Sequence, residues 1–386
     1  MCWQIRISLP ASFFRRRLQN IPLPLQTVRG RDLKPLDYTN RLNYDVLVIG
    51  GGPAGCEASA AAASAGATVL CISINLDTIG LHPGCPVLAD GIDDARYHVL
   101  GELHNMGGML PGLLRREGVS ASLSSSRKIV IDKRQLSLAY KEALESGDVA
   151  VRQGLVVSIR PEAEIWTAHT KLGESFNGAC IILAVGTFLL GLIEEAGAFY
   201  PGGRYGEIPA NALARRLDSM GVKTERVRSA SFPHLDSRSL KAEGFGAEGL
   251  TPDGQLGELY GKNIITEGNR AAALAGLRAS FPEVWITRAG YAIHHQILSV
   301  NQIGDNLEAN GLPGLFFAGR VAGCSYFSEA AALGAIAGRN AAARAGKPGP
   351  ATLTSSNNFV SKLCRAVAND NKRPATVRQH PTDIPT

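Results

Sequence analysis

The hydrophobic pattern is clearest between Tyr44 and Ile72. Four apolar residues, Val46 to Ile49, predict a buried strand, and a glycine turn, Gly50 to Gly55, opens a helix of small residues from Cys56 to Gly66. A second apolar run, Thr68 to Ile72, predicts the next strand. A glycine turn between a strand and a helix is typical of dinucleotide-binding βαβ units.

Later apolar runs predict that the same sheet is joined twice more. Two apolar runs, Cys180 to Val185 and Leu315 to Gly319, predict buried strands. The first run is followed by Gly186, and the second ends in Gly319. Ser328 to Ala345 predicts a closely packed helix with Gly334 and Gly338 on one face. The fold class expected is α/β, an FAD/NAD(P)-binding Rossmann-like domain with a small β insertion and a reduced second domain.

The remaining pattern predicts the order of the domains. A basic leader expected to be disordered comes first, and a disordered tail comes last. Between them we predict three segments. The first part of the dinucleotide domain contains a three-stranded β-meander, a truncated insert follows it, and a return portion completes the domain. The boundaries, leader to tail, are residues 1–43, 44–228 (meander about 149–176), 229–290, 291–346 and 347–386.

Charge is concentrated in the leader. Its eight Arg and Lys against two Asp account for the whole net charge of +6, so no electrostatic argument for nucleic-acid binding extends over the body of the chain. The leader is read as a disordered segment, as a start placed too far upstream, or as an organelle transit peptide. Low serine content favours the first two, so we expect a cytoplasmic protein, with an organelle as the alternative.

Cysteine and histidine spacing argues against metal and disulfide chemistry. Seven scattered cysteines without a CxxC pair are typical of a reducing compartment. His294 and His295 lack a third ligand at metal spacing, so we predict no metal site. The apolar run from Ala179 to Ile193 is short for a membrane span, and no membrane association is expected.

The glycines of the turn have different predicted tasks. Gly50 permits the tight turn, Gly52 lets the backbone approach a pyrophosphate, and Gly55 lets the helix pack against the strand. Pro53 suits the first helical turn, and the N-terminal amides attract phosphate. The predicted cradle comprises Gly50, Gly51, Gly52, Pro53, Ala54 and Gly55. Asn75 stands where an acid usually binds the ribose, and it offers an uncharged hydrogen bond there.

Several segments together resemble the GidA/MnmG family of FAD-dependent tRNA wobble-uridine modification enzymes. The resemblance extends from about Tyr44 to Ala345. A sister family of folate-dependent tRNA uracil methyltransferases shares the architecture but usually has another residue at the position of Cys56. The matching segments are Gly50 to Ala58, Asp77 to Gly80, Val185 to Leu189, Gly202 to Gly206, Arg288 to Ile293, Gly314 to Gly319 and Glu329 to Ala331.

The resemblance implies FAD as the cofactor and NADH as a candidate reductant. It implies that Gly50 to Gly55 hold the pyrophosphate, that Val156 contacts the adenine side, and that the segment from Gly319 to Ser328 faces the flavin. Arg320 stands where the family has a glutamine, and Pro201 stands where it has a serine. In the family, reduced FAD carries a methylene unit from folate to uridine C5. tRNA is the implied partner, and a homodimer is the expected assembly.

Departures from the family pattern concern the catalytic parts. Cys85, the candidate nucleophile, is shifted one position toward the following proline, and Asp93 to Arg96 replace a basic segment. The insert between Phe232 and Ala289 is read as truncated without the family's second cysteine, and the family's C-terminal tRNA-binding domain as absent. A structural loop cysteine is the alternative for Cys85.

Other candidates carry two interpretations each. His82 is either a general acid near Cys85 or a solvated loop histidine, and Arg204 is either a phosphate ligand or a structural loop arginine. Cys324 is read as a small residue in a tight turn. Three functions follow: a GidA-like flavoenzyme linked to tRNA wobble uridine, an FAD-dependent oxidoreductase of a small molecule, and a non-catalytic flavin-binding redox or assembly module.

Overall fold

A parallel sheet built from the apolar runs of the chain forms the centre of the fold. The computed structural model describes residues 43–82, 87–89, 95–116, 121–123, 129–195, 197–231, 234–235, 285–288, 290–348 and 359–369. Within these ranges the strands are β1 (Asn43–Ile49), β2 (Val69–Ser73), β3 (Val87–Ala89), β4 (Ala121–Leu123), β5 (Ile129–Ile131), β6 (Val149–Gln153), β7 (Val156–Glu162), β8 (Ile165–Thr170), β9 (Ser175–Leu183), β10 (Leu192–Glu195), β11 (Ala198–Pro201), β12 (Thr224–Ser231), β13 (His234–Leu235), β14 (Ile286–Arg288), β15 (Tyr291–Leu298) and β16 (Leu315–Phe317).

Helices cover the sheet. Two further turns are 3-10 helices, at Leu76–Thr78 and Gly319–Ala322. The described α-helices are α1 (Pro53–Ser64), α2 (Ala95–Asn105), α3 (Leu110–Leu113), α4 (Lys133–Ser146), α5 (Asn211–Ser219), α6 (Phe327–Arg344) and α7 (Phe359–Ala368).

The main sheet has the order β6-β2-β1-β9, continued on one side by both β8-β7 and β16. β9 pairs with two strands along the same edge. Its first half pairs antiparallel with β8, and its last residues pair parallel with β16. β1 lies parallel between β2 and β9. The Rossmann-like fold and the two predicted returns to the sheet are thereby confirmed.

The first strand of the predicted meander belongs elsewhere. Val149–Gln153 pairs in parallel with Val69–Ser73 at the edge of the main sheet, so the antiparallel meander contains β7, β8 and β9 only. The sequence explains this placement, since α4 precedes β6 and a helix between strands is the usual parallel crossover.

Two helices cross at unusually close range over the sheet. A Cβ built at Gly334 would overlap the carbonyl oxygen of Ala54, and one at Gly338 would overlap that of Ala58. α1 and α6 therefore pack backbone to backbone, and the prediction that both glycines lie on the packing face is confirmed.

A second sheet is antiparallel, in the order β11-β10-β15-β12. Ile193, Tyr291 and Ile293 form its small apolar cluster. Two smaller sheets, β3-β5-β4 and β13-β14, complete the described strands. Most of the predicted insert, and the predicted leader up to residue 42, lie outside the described residues.

The tail is not entirely irregular, contrary to prediction. Phe359–Ala368 is a helix whose apolar positions Val360, Leu363 and Val367 are buried. The side chain of Glu102 accepts hydrogen bonds from the amides of Phe359 and Val360 at 3.2 and 3.1 Å. The tail was predicted to be disordered from its polar composition, which outweighed this short amphipathic repeat. In the described part of the chain, no helix combines the length and apolar character that a bilayer crossing requires.

Candidate functional site

The glycine turn lies at the carboxyl end of β1, where parallel sheets usually bind ligands. Gly50 has φ +112° and donates its amide hydrogen to Ile72 O at 2.8 Å. A Cβ at Gly50 would overlap Ala184 O, and one at Gly55 would overlap Gly50 O. The turn is therefore shaped by backbone packed on backbone.

Gly52 occupies the open side of this turn. It is the residue before α1, has extended backbone (φ −73°, ψ −179°) and supplies no capping side chain, and Pro53 begins the helix. No described heavy atom lies within 4 Å of a Cβ built at Gly52. Since the first amides of a helix have no intrahelical acceptor, this open space beside them suits an anion such as a pyrophosphate.

The segment between β16 and α6 packs against the turn at Gly319. A Cβ at Gly319, which has φ +74°, would lie 2.7 Å from Ala54 Cβ. The 3-10 turn from Gly319 leads into α6, whose first turn is capped by Glu329 through the amides of Ser325 and Tyr326. The predicted cradle and the predicted flavin-facing segment are thus direct neighbours.

Asn75 and Val156 lie near the carboxyl end of β2. Asn75 Oδ1 accepts the amide hydrogen of Asp77 at 2.9 Å, and Nδ2 donates to Glu207 Oε1 at 3.4 Å, so its amide already bonds within the protein. Val156 begins β7 with a buried side chain, two residues after Gly154, whose amide bonds Ser73 O. Their roles toward a nucleotide stay predictions.

Arg320 forms a polar network with β12 and β15. Its Nη2 donates to Ser229 Oγ at 2.8 Å, and its Nη1 donates to Cys324 O at 2.8 Å and to Ser325 Oγ at 3.2 Å. Its Nε is buried and has no hydrogen-bond partner among the residues that the structure describes. Ser229 Oγ also lies 2.8 Å from His295 Nε2.

The histidine of this network is neutral. Burial, with the charge of Arg320, holds the pKa of His295 well below its usual value. Because Ser229 Oγ accepts from Arg320, its own hydrogen is free for His295 Nε2. His294 instead contacts Glu194 at 2.8 Å. Among the described residues no group of three His, Cys, Asp or Glu side chains is placed to hold a metal ion.

His82 is partly buried rather than fully solvated. Its ring meets the ring of Phe327 edge-on at 5.5 Å. Burial and the nearby charges of Lys133, Arg320 and Arg204 lower its pKa to about 3. His82 is therefore neutral at pH 7 and has no imidazolium proton to donate.

The interpretation of Arg204 as a structural loop residue is favoured. Its Nε and Nη2 both donate to the carboxylate of Glu207, at 2.9 and 2.8 Å, and its Nη1 donates to Leu81 O at 3.3 Å. Cys324 is buried, which raises the pKa of its thiol and agrees with a small residue in a tight turn. Cys85 and the segment from Asp93 lie outside the described residues, apart from the backbone of Ala95 and Arg96 in α2.

Sequence reasoning missed Glu57, a fully buried acid on α1. Its carboxylate accepts hydrogen bonds from Met109 N (2.8 Å), Leu110 N (2.8 Å) and Tyr140 Oη (2.6 Å). Burial raises its pKa to about 7, which these donors partly oppose. The available signal was a single acid in a helix of small uncharged residues.

Comparison with known proteins identifies the family. The family model described as Glucose inhibited division protein A matches residues 45–256 and 273–348. The chain belongs to the GidA family. The GidA segments quoted above all lie within these ranges.

Curated relatives agree with this GidA assignment. The tRNA uridine 5-carboxymethylaminomethyl modification enzyme MnmG of Geotalea uraniireducens is 28% identical over 410 residues, covering 83% of this chain and 65% of that protein. Geobacter metallireducens MnmG is 33% identical over 215 residues, covering 53% of this chain and 34% of that protein. The chain therefore spans less than two thirds of these relatives.

The fold is shared with a solved GidA. The GidA structure from Aquifex aeolicus superposes with a TM-score of 0.73 at 21% identity, covering 85% of this chain and 70% of that one. The GidA family and the cradle geometry together support FAD as the dinucleotide.

Proposed function

We propose that this chain is a flavoprotein that binds FAD along the α1–α6 side of the main sheet and serves modification of the wobble uridine of tRNA. The observation that carries the proposal is the direct contact between the glycine turn and the segment before α6, at Ala54 and Gly319. That contact supports one extended ligand whose pyrophosphate and ring system are held by opposite ends of the chain.

Residues of this chain would hold and orient the FAD. The backbone of Gly50, Gly51, Gly52, Pro53, Ala54 and Gly55 receives the pyrophosphate. Asn75 faces the ribose, Val156 the adenine side, and Gly319 and Arg320 the ring. When bound, FAD supplies the redox chemistry, accepting and returning two electrons, and the protein contributes position and electrostatics.

The remaining roles extend the same proposal. Cys85 is the proposed nucleophile toward uridine, because a cysteine thiolate is a strong nucleophile. NADH is the proposed reductant and tRNA the proposed partner. We place the protein in the cytoplasm as a homodimer.

The first experiment separates cofactor from substrate. Purified protein is examined by visible spectroscopy with and without FAD and then NADH, and we expect a flavin spectrum that NADH bleaches. In parallel, wobble nucleosides of a deletion strain are measured by mass spectrometry, and we expect loss of the modified uridine. A colourless protein that takes up no FAD contradicts the whole proposal. Unchanged nucleosides with a reducible flavin would favour the small-molecule oxidoreductase.

A second experiment tests Cys85. Cys85→Ala is expressed in the deletion strain beside Cys364→Ser, at a buried cysteine of α7. We expect Cys85→Ala to bind FAD and to leave the uridine unmodified, and Cys364→Ser to restore modification. Full restoration by Cys85→Ala would remove this thiol from the mechanism.

A further inference from the structure

Arg320 has a fixed guanidinium held by neutral oxygens. Within the described residues it donates to two serine hydroxyls, Ser229 and Ser325, and to one carbonyl, that of Cys324. Among the described residues, no carboxylate lies within ion-pair distance of it. Glu329, whose charge acts on Arg320, uses its carboxylate on the amides of Ser325 and Tyr326. Within the described part of the chain, a cation without an acidic partner therefore follows Gly319, the residue that packs against the glycine turn.

Arg320 Nε is a buried donor that lacks an acceptor among the described residues. Buried donors are almost always paired, since an unpaired one loses its bond to water without replacement. The bonds of Nη1 and Nη2 hold the side chain in place, but they do not compensate for the unpaired Nε.

The surroundings favour an anionic acceptor. Arg320 directly follows Gly319, which packs on Ala54 of the turn. The charges of Lys133, Arg320 and Arg204 act together on His82, in addition to burial, and keep that histidine neutral. A neutral His82 adds no further positive charge, and Glu207 already pairs with Arg204. Of the three cations that act on His82, Arg320 is the one that directly follows Gly319.

We propose that Arg320 donates from Nε to the N1–C2=O side of the flavin ring and stabilises the negative charge that this side carries in the reduced cofactor. The inference rests on the proposed FAD binding and deepens it. By resemblance, the family has a neutral glutamine at this position, so this chain adds a full positive charge beside the ring. Charge near N1 is a recognised means by which a protein tunes a flavin.

Sulfite provides a direct probe of this charge. Its sulfur lone pair forms a bond to flavin N5, and the displaced ring electrons settle as a negative charge on N1–C2=O, so no external oxidant or reductant is required. The visible flavin absorption bleaches on addition, which gives a dissociation constant. The probe reports on the ring alone and needs no substrate.

The test compares FAD-loaded wild type, Arg320→Gln, Arg320→Lys and the control Arg344→Gln. Arg344 lies at the far end of α6 and pairs with Glu308 at 3.2 Å. We expect Arg320→Gln to weaken sulfite binding by tenfold or more, about the effect of losing a charge-assisted hydrogen bond. Arg320→Lys should retain most of the affinity, and Arg344→Gln all of it. The midpoint potential should fall in the same order.

The outcomes separate the two proposals. Wild-type protein that binds no FAD contradicts the proposed function. FAD-loaded variants that bind sulfite equally contradict the role of Arg320 and leave FAD binding intact. Should Arg320→Gln not fold, wild type alone decides: reduced flavin is expected in its anionic form at a pH where free reduced flavin is neutral, and a neutral spectrum overturns the inference.

Discussion

The two ends of the candidate site are built in different ways. Around the glycine turn, contacts are made by backbone and small residues, as where Gly55 meets Gly50 O and Gly334 meets Ala54 O. Around Arg320, contacts are made by polar side chains from separate strands, and one donor has no partner in the described ranges. The first end depends on shape and the second on charge. They should therefore fail in different ways when mutated.

The largest effect is expected where shape matters most. Gly334→Ala places a methyl group against the Ala54 carbonyl, a backbone atom that cannot rotate away, and should lower the unfolding free energy by about 3 kcal/mol. The matched control is Gly101→Ala, also within a helix but exposed and without neighbours, which should raise it by about 0.5–1 kcal/mol. Denaturant unfolding measures both. Equal effects would show that the α1–α6 contact is not tight.

The buried acid of α1 tests whether the turn region depends on shape alone. The pKa of Glu57 rises from 4.5 to about 7 on folding, so the folded state binds the extra proton. Its stabilising contribution is present below about pH 4.5 and is lost as pH rises through about 7. Tyr140→Phe removes a donor to the charged form and should cost about 1.5–3 kcal/mol near pH 8. A smaller cost is expected near pH 5.

Unfolding free energies of Tyr140→Phe at the two pH values decide this prediction. Tyr205→Phe, at a ring that is 44% exposed, serves as the control and should show no pH-dependent loss. A cost for Tyr140→Phe that does not change with pH would mean that Glu57 is ionised throughout this range.

Much of the shape-dependent end could be predicted from sequence, because its signals are local. The glycine turn, its flanking apolar runs and the spacing of Gly334 and Gly338 each lie within one short segment. By contrast, Arg320 and Ser229 are 91 positions apart, and no local period records that contact. Glu57 likewise finds Tyr140 only after folding.

The two corrected elements follow the same rule. β6 looked like a meander strand because its neighbours in sequence are β7 and β8, yet its partner in the sheet is β2. α7 carries a readable amphipathic repeat, but its docking depends on Glu102, more than 250 positions earlier in the chain. The local pattern indicates whether a segment is a strand or a helix, but it does not indicate which distant segment it packs against.

Gly52→Ala should affect FAD affinity more than it affects the free energy of unfolding. Its added methyl enters open space and its backbone is extended, so stability should change by less than about 1 kcal/mol. The same methyl lies beside the first amides of α1, and FAD affinity should fall about tenfold, equivalent to about 1.4 kcal/mol. Fluorescence titration of apoprotein with FAD measures it. Unchanged affinity would remove Gly52 from the cradle.

The smallest effect is expected at the anchor of the charged end. Ser229→Ala deletes the acceptor of Arg320 Nη2 and the donor to His295, but the bonds of Nη1 to Cys324 and Ser325 remain. Because the charge stays and only its position loosens, sulfite affinity of the FAD-loaded protein should fall about threefold, near one net hydrogen bond. The control is Ser219→Ala, another serine that accepts from an arginine, Arg216, on an exposed helix end. A loss as large as that of Arg320→Gln would mean that Ser229 itself contacts the ring, whereas no loss at full FAD occupancy would mean that Arg320 is held by Nη1 alone.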